Sequence, residues 1–580
     1  MSDAILNQAY DVQRVREDFP ILARSVHARK GKPGKPLVYL DSGASAQKPR
    51  QVIQAMTRFL EEDYSNIHRG VHFLSQTATD QFEAVRTKVA RFLNAPNDRC
   101  IVFTRSSTEA INLVASSYGR TFLNEGDEVI LSIMEHHANI VPWQLLQAEK
   151  KIVIKVVPCD EFGVLDMDAY KDLLSDRTKL VAITHCSNVL GTVTPAKAIA
   201  KLAHERGVPV LFDGSQAVVH GTVDVQDIDA DFYVFTAHKL YGPTGLGVLY
   251  GKYDLLKKMP PYQGGGDMIE SVSFEGTTFK APPSRFEAGT PPITEVIGLG
   301  AAIDYVEALG RDAIAAHEHD LLQYATQQLS QIGGLRIVGT APGKGPIVSF
   351  ALEGVHPHDV GTIVDQYGVA VRVGRHCAEP LAERFGVGPT VRASFGLYNT
   401  REEADALVQR SRSSSEHDGR SARAVSGSDP GPRQESPQLP PSRRRQPRGE
   451  GREPDVRRPL HGLSDPEGRG CGRRGLPGPR LRHLHRQRLD DDGAGARQDG
   501  GGGGNAVPRL PRAVHPGRAR HPRGCRRRDD GKADGDVRRA PVPGSGEVRD
   551  PGLARHERGT PRRGFGLQRS VLTEGDRHAR

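Results

Sequence analysis

Between residues 100 and 250 six short apolar runs recur, separated by helix-like stretches: Cys100-Ile-Val-Phe-Thr, Glu128-Val-Ile-Leu-Ser, Ile152-Val-Ile-Lys-Val-Val, Leu180-Val-Ala-Ile-Thr, Val208-Pro-Val-Leu-Phe and Phe232-Tyr-Val-Phe. Runs this apolar leave no alternate position to face water. They fit strands covered on both sides, as in a largely parallel sheet packed between helices. The stretch 194–207 opens on Thr then Pro and closes on Gly, which are start and stop signals for a crossover helix. The expected fold class is therefore α/β.

A long helix is expected from 294 to about 309, closed by Gly310. A second alternating set follows: helix 317–332, strand 347–352, helix 358–367 and strand 369–373. It has the size of a small separate domain, and ligand sites favour the crevice between two domains. The last helix starts near 400 and loses its apolar pattern near Gln409. The expected divisions are 1–30, an N-terminal arm and helix; 31–293, a large domain; 294–410, a small C-terminal α/β domain; and 411–580, a tail.

Charge marks the tail as different in kind. Up to residue 410 the chain holds 41 Lys+Arg and 48 Asp+Glu, and beyond it 38 and 22, so a formal charge of −7 gives way to +16. The tail has no Ile, Tyr, Trp or Met, one Phe and one Lys. Such a segment cannot bury enough apolar surface to offset its ordering entropy, and disorder is expected. Its 37 arginines could bind phosphates. A basic arm, however, mixes Lys with Arg and clusters them, whereas acidic residues are scattered throughout this one. GC-rich DNA translated out of frame over-supplies Arg, Gly, Pro and Ala and starves Lys, Ile and Tyr, and that origin is the favoured reading. Nucleic acid is not an expected partner.

No stretch reaches the roughly 18 uninterrupted apolar residues of a membrane span, and the start lacks the order of a signal peptide, so a cytoplasmic protein with no membrane partner is expected. The six cysteines lie far apart without CxxC pairs or histidines at zinc-finger spacing, and neither a disulfide framework nor a metal is expected.

Two residues at strand ends carry the first chemical signal. Asp213 ends Val208-Pro-Val-Leu-Phe-Asp213, and Lys239 follows Asp231-Phe-Tyr-Val-Phe-Thr-Ala-His. An amine can hold an aldehyde cofactor covalently, and a carboxylate can keep a pyridine nitrogen protonated, so together they read as a pyridoxal 5'-phosphate site. Alone, Lys239 could be a surface lysine and Asp213 a helix cap. Their setting argues otherwise, because both fall at the carboxyl ends of strands, where α/β sheets bind ligands. Phe103-Thr-Arg-Ser-Ser-Thr-Glu runs from a strand into a helix and offers Ser106, Ser107 and Thr108 to a phosphate. Glu135-His-His-Ala-Asn follows another strand, where His136 could lie over a pyridine ring.

Residues 10–410 resemble the Suf-type (group II) cysteine desulfurases of the class V aminotransferase fold. The resemblance rests on Tyr39-Leu-Asp-Ser-Gly-Ala-Ser-Ala-Gln-Lys-Pro49, Asn66-Ile-His-Arg-Gly-Val-His72, Met134-Glu-His-His-Ala-Asn-Ile-Val-Pro-Trp143, Ser187-Asn-Val-Leu-Gly-Thr192, Arg285-Phe-Glu-Ala-Gly-Thr-Pro291 and Arg392-Ala-Ser-Phe-Gly-Leu-Tyr-Asn-Thr400. It implies a pyridoxal-phosphate-dependent transferase of fold type I and a homodimer. By the same resemblance Lys239 is the Schiff-base lysine, Asp213 pairs with the ring nitrogen, Gln216 bonds the ring hydroxyl and His136 stacks on the ring as a catalytic residue. Ser107, Thr108, Thr236 and His238 would hold the phosphate, with Thr290 reaching in from a second subunit. Asn188, Arg392, Arg372, His68 and Arg69 would bind substrate, an arginine fork suiting its carboxylate.

The same resemblance places the reactive cysteine at Cys377, in Val371-Arg-Val-Gly-Arg-His-Cys-Ala-Glu-Pro380, where neighbouring cations would favour thiolate. Cys100, Cys159 and Cys186 read as structural. Histidine is common in the family where Arg375 stands, and the arginine could lower the thiol pKa further or alter how the loop meets a sulfur acceptor. The implied reaction takes L-cysteine to L-alanine and leaves a persulfide on Cys377 for a Suf-system acceptor (type E or type U) in iron–sulfur cluster assembly. Alternatives are a selenocysteine lyase or another class V lyase or aminotransferase, and, more remotely, a nucleic-acid-binding protein acting through the tail.

Overall fold

All six apolar runs are strands in the computed structural model, which describes residues 10–29 and 33–426, with side chains in the last helix through Ser413. They are β1 Ile101–Thr104, β2 Glu128–Ser132, β3 Val153–Val157, β4 Thr178–Thr184, β5 Val210–Asp213 and β6 Phe232–Thr236. A seventh strand, β7 Gly247–Gly251, completes a sheet of order β1-β7-β6-β5-β4-β2-β3. Pairing is parallel from β3 through β6, and β7 runs antiparallel to both β6 and β1. The sequence does not mark β7 out, because a glycine at either end makes Gly247-Val-Leu-Tyr-Gly251 read as turn. Gly247 is required there for space, since a Cβ would overlap the backbone of Ser106.

Burial on both faces explains the continuous apolar runs. Ile101, Phe103, Ile130, Val181, Ile183, Val210, Phe212, Tyr233 and Phe235 belong to one core, and the alternate residues Val102, Val129, Leu131, Leu180, Ala182, Leu211, Phe232 and Val234 to the core on the other face. Helices Phe73–Phe92, Ala196–His204 and Ile293–Leu309 cover the first face, and Ser107–Leu113 with Val141–Lys150 the second. The crossover and long helices therefore lie where their start and stop signals put them.

The second alternating set forms a four-stranded antiparallel sheet, β8 Leu335–Val338, β9 Ile347–Leu352, β10 Arg372–Gly374 and β11 Thr390–Ser394, in the order β8-β9-β11-β10. Helices Arg311–Ser330, Pro357–Gln366 and Arg401–Ser426 share a core with it through Leu321, Leu329, Val360, Val364, Ala404 and Leu407. The single strand expected at 369–373 is split: Val369–Ala370 pairs parallel with Val38–Tyr39, while Arg372–Gly374 pairs with β11. Two halves with different partners cannot be told from one strand by composition. The last helix also departs from expectation, since it runs to Ser426 rather than ending near 410. Its apolar pattern reports where packing stops, whereas backbone hydrogen bonding continues through 411–418, which contain neither Pro nor Gly. The expected tail lies, from 427 onward, outside the described residues.

Candidate active site

Because neighbouring strands run parallel, their carboxyl ends fall along one edge of the sheet. Thr184, Asp213 and Thr236 are the last residues of β4, β5 and β6, and His136 and Ser106 follow β2 and β1. There a cavity of about 170 Å³ is lined by Ser107, Thr108, His136, Asn188, Asp213, Gln216, Thr236, His238, Lys239, Arg372, Cys377 and Arg392. With Ser106, which also lines it, thirteen of the sixteen residues named from sequence thus share one chamber, to which β10, β11 and the loop after β10 contribute Arg372, Arg392 and Cys377.

Burial sets the electrostatics. It pushes the Lys239 amine down to about 8, with Arg392 acting in the same sense and Asp213 against it. His136 and His238 are pushed down to about 4, by burial and then by Lys239, so both imidazoles are neutral at pH 7. Asp213 is 6% exposed and accepts the Ser215 backbone N–H at 3.0 Å. Gly214, between them, packs so closely that a Cβ would overlap the Tyr233 ring. Gly214→Ala is accordingly expected to lower stability by about 1–3 kcal/mol, read as a lower denaturant midpoint, and to displace Asp213 from the cavity.

Arg392, 2% exposed, donates to the Asn188 carbonyl at 2.9 Å and to Asp41 Oδ1 at 3.0 Å. Burial lowers its pKa and raises that of Asp41, and each group opposes the other's shift. The Asn188 amide donates to the His376 carbonyl at 2.7 Å, so Asn188 also anchors the loop that carries Cys377. Gln216 Nε2 donates to the Gly43 carbonyl at 2.8 Å.

Several buried atoms of this lining have no protein partner: Ser215 Oγ, Gln216 Oε1, His376 Nδ1 and Arg392 Nε. An amine of lowered pKa, a buried carboxylate, three hydroxyls and an unpartnered amide oxygen together suit a phosphorylated pyridine aldehyde. Among the described residues, no group of three or more His, Cys, Asp or Glu converges as metal ligands would.

The other three residues named from sequence lie elsewhere. His68 meets Glu83 at 2.9 Å and Asp267 at 3.3 Å, and Arg69 meets Asp267 at 3.2 Å. Arg69 and Thr290 line a separate cavity of about 130 Å³ with Asn66 and Asp267. Within one chain, then, His68, Arg69 and Thr290 do not reach the main chamber. Arg375 does not line it either: it pairs with Glu379 on the surface, so its charge is already matched there.

Sequence reasoning passed over Asp41, Ser215 and His376 as site residues, and read Cys186 as structural only. Ser215 and His376 stand beside Gln216 and Cys377, which it did select, and Asp41 lies within one of the quoted motifs, so proximity was the available signal. Cys186 contributes to the chamber wall, where burial pushes its thiol up to about 12, and its Sγ donates to the Gly191 carbonyl at 3.4 Å. Cys100, Cys159 and Cys186 are buried and Cys377 is half-buried, all four as free thiols.

A mostly parallel sheet with a Lys and a buried Asp at its carboxyl edge, joined to a second helix-backed sheet, is the fold-type I architecture of pyridoxal-phosphate-dependent transferases. More narrowly, the chain belongs to the aminotransferase class-V family, whose model matches residues 38–407. It is 53% identical over 400 residues to a cysteine desulfurase of Dickeya dadantii, spanning 69% of this chain and 95% of that one. A cysteine desulfurase of Synechococcus elongatus is 51% identical over 399 residues, and there the match covers 69% of this chain and 63% of the relative's length. The crystal structure of the cysteine desulfurase CsdA from Escherichia coli superposes with a TM-score of 0.65 at 38% identity, covering 71% of this chain and all of that one.

Proposed function

We propose that this chain is a pyridoxal 5'-phosphate-dependent cysteine desulfurase, which converts L-cysteine to L-alanine and receives the sulfur as a persulfide on Cys377. The observation that carries this reading is one chamber lined by Lys239, Asp213, Arg392 and Cys377. An amine, a buried carboxylate, a buried guanidinium and a thiol are the groups this reaction needs, and the similarity to named cysteine desulfurases supports the assignment.

The bound cofactor would supply an electron sink for charge left on the substrate α-carbon. Lys239 would be its attachment point, and the lysine amine would serve as the base for the substrate α-proton. With a pKa of about 8, roughly a tenth of the amine is uncharged at pH 7, against a few parts in ten thousand for an ordinary lysine. Asp213, held by the Ser215 N–H, would keep the ring nitrogen protonated. Gln216 would meet the ring hydroxyl through its unpartnered oxygen, and neutral His136 would lie against the ring without adding charge. Ser107, Thr108, Thr236 and His238 would hold the phosphate, and Arg392, Arg372 and Asn188 the substrate carboxylate. The Cys377 thiolate then attacks the substrate sulfur. As the S–S bond forms the C–S bond breaks, its electron pair stays with the carbon framework, and protonation there leads to alanine.

We further propose a homodimer, in which Thr290 serves the chamber of the second copy. Its position outside its own chain's chamber supports this, as do the exposed Val71 and Phe73 beside the His68 and Arg69 segment. The sulfur acceptor is proposed to be a Suf-type protein (type E or type U) serving iron–sulfur assembly in the cytoplasm. Among the described residues no helix is long and apolar enough to cross a membrane.

Loading the purified protein with pyridoxal phosphate and adding L-cysteine should yield L-alanine and one added sulfur on the Cys377 peptide. Alanine formation at background level would refute the reading, and selenide release from selenocysteine alone would replace it with a lyase. Arg392→Ala is expected to raise KM for L-cysteine on the order of a hundredfold, and Arg392→Lys to recover only part of the loss, because a lysine cannot reproduce the guanidinium fork.

A further inference from the structure

We infer that His137 is a positioning residue for the sulfur-accepting thiol, clamping the Cys377 loop in a conformation the loop would not hold alone. The thiol's task is taken from the proposed function, but the clamp is independent of it. The loop joins β10 to the short helix Glu379–Arg384. Two consecutive non-glycine residues in it, His376 at φ 52° and Cys377 at φ 57°, occupy the left-handed region. There the Cβ crowds the following carbonyl oxygen, so the conformation persists only where the surroundings impose it.

His137 holds the chain at two points, on the thiol residue's own carbonyl and two residues further on. Its backbone N–H donates to the Cys377 carbonyl at 2.7 Å, and its Nε2 accepts the Glu379 backbone N–H at 3.1 Å. Accepting at Nε2 requires the neutral imidazole with its proton on Nδ1. The loop's other ties are the Asn188 amide on the His376 carbonyl at 2.7 Å and His376 Nε2 on Thr390 Oγ1 at 2.8 Å. Neither of these ties to the rest of the fold touches residue 377 or 379, while within the loop the Ala378 N–H donates to the Arg375 carbonyl at 3.0 Å and the Arg375 side chain pairs with that of Glu379.

The clamp has a rigid footing. Fully buried Glu135 accepts hydrogen bonds from Ser132 Oγ, from Asn139 Nδ2 at 2.7 Å and from the Thr184 N–H at 2.9 Å. Asn139 Oδ1 in turn accepts the Trp143 indole N–H at 3.0 Å. The turn between Glu135 and Asn139 is thereby locked to β2 and β4, and its two histidines divide the work. His136 faces the cofactor chamber while His137 holds the thiol loop. One short turn thus sets both the surface against which the cofactor would rest and the place from which the thiol starts. Reacting groups misplaced by about 1 Å lose on the order of a hundredfold in rate, so this coupling bears directly on sulfur transfer.

His137→Ala removes the imidazole acceptor and keeps the backbone donor, and His137→Gln restores an acceptor. In the full-length, cofactor-loaded protein the alanine variant should lose at least about tenfold in kcat for alanine formation with KM within about twofold, while the glutamine variant recovers to within about threefold of the parent. Without substrate, alkylation of Cys377 by iodoacetamide, read on its own peptide by mass spectrometry, should quicken severalfold in the alanine variant only. Amide exchange across 375–379 should rise about tenfold with it. Unchanged alkylation and exchange in His137→Ala, or equal losses in both variants, would overturn the proposal. Should the alanine variant fail to fold, His137→Phe, which keeps a ring without an acceptor, takes its place with the same two outcomes. A parent protein that makes no alanine from cysteine sinks the desulfurase reading, while alkylation and exchange still decide the clamp.

Discussion

Cys377→Ser is expected to bind pyridoxal phosphate as the parent does and to form alanine from L-cysteine at a rate lower by on the order of a thousandfold or more. The two halves of this expectation have separate physical sources. In the proposed reading cofactor capture rests on Lys239 and Asp213, which make no hydrogen bond to the thiol, whereas sulfur removal needs a nucleophile that a serine hydroxyl cannot replace at neutral pH. Cofactor absorbance before and after L-cysteine, together with chromatographic alanine measurement, checks both. Alanine formation above a tenth of the parental rate would show that another group receives the sulfur. Cys186, the other thiol of the chamber wall, is a poor substitute because burial holds its pKa near 12, so Cys186→Ala should leave the rate within about twofold.

Lys239→Ala carries the second large effect: loss of covalently held cofactor through gel filtration, and a fall in desulfuration on the order of ten-thousandfold. The environment of this amine also gives a pH test. Its neutral form is the nucleophile, and burial lowers its pKa to about 8. Capture of pyridoxal phosphate by the cofactor-free protein should therefore accelerate as pH rises from 7 and level off above about 8, where an unperturbed lysine would keep accelerating to beyond 10. Stopped-flow absorbance across this range measures it, and a rate still climbing steeply at pH 9.5 would contradict the environment described for Lys239.

Local pattern carried far in this chain. Six of the seven strands of the main sheet and the crossover and long helices were legible because a strand covered on both faces must be apolar throughout and a helix must be capped. β7 was not legible, since its bounding glycines answer to the nearby Ser106 backbone, a long-range constraint invisible to local composition. The strand expected at 369–373 was found but not its division, because its partners, Val38–Tyr39 and β11, lie far away in sequence. The last helix shows the converse error, in which loss of amphipathic pattern was taken for loss of helix.

For the site, residue types at strand ends pointed to Lys239, Asp213, His136 and the hydroxyls after β1, because a parallel sheet gathers its carboxyl ends along one edge whatever the details of packing, and the family resemblance supplied the rest. Sequence alone thus determined six of the sheet's seven strands, its functional edge and the amine and carboxylate there, with the guanidinium and thiol named through the family resemblance. Only tertiary structure decided which of them meet: it separated His68, Arg69 and Thr290 from the chamber, turned Arg375 toward Glu379, and bound the strained Cys377 loop to His137. The reason is physical. Residue type and periodicity encode what a segment buries, while contacts such as His137 with Glu379, 242 positions apart, arise only when the cores have packed and brought their edges together.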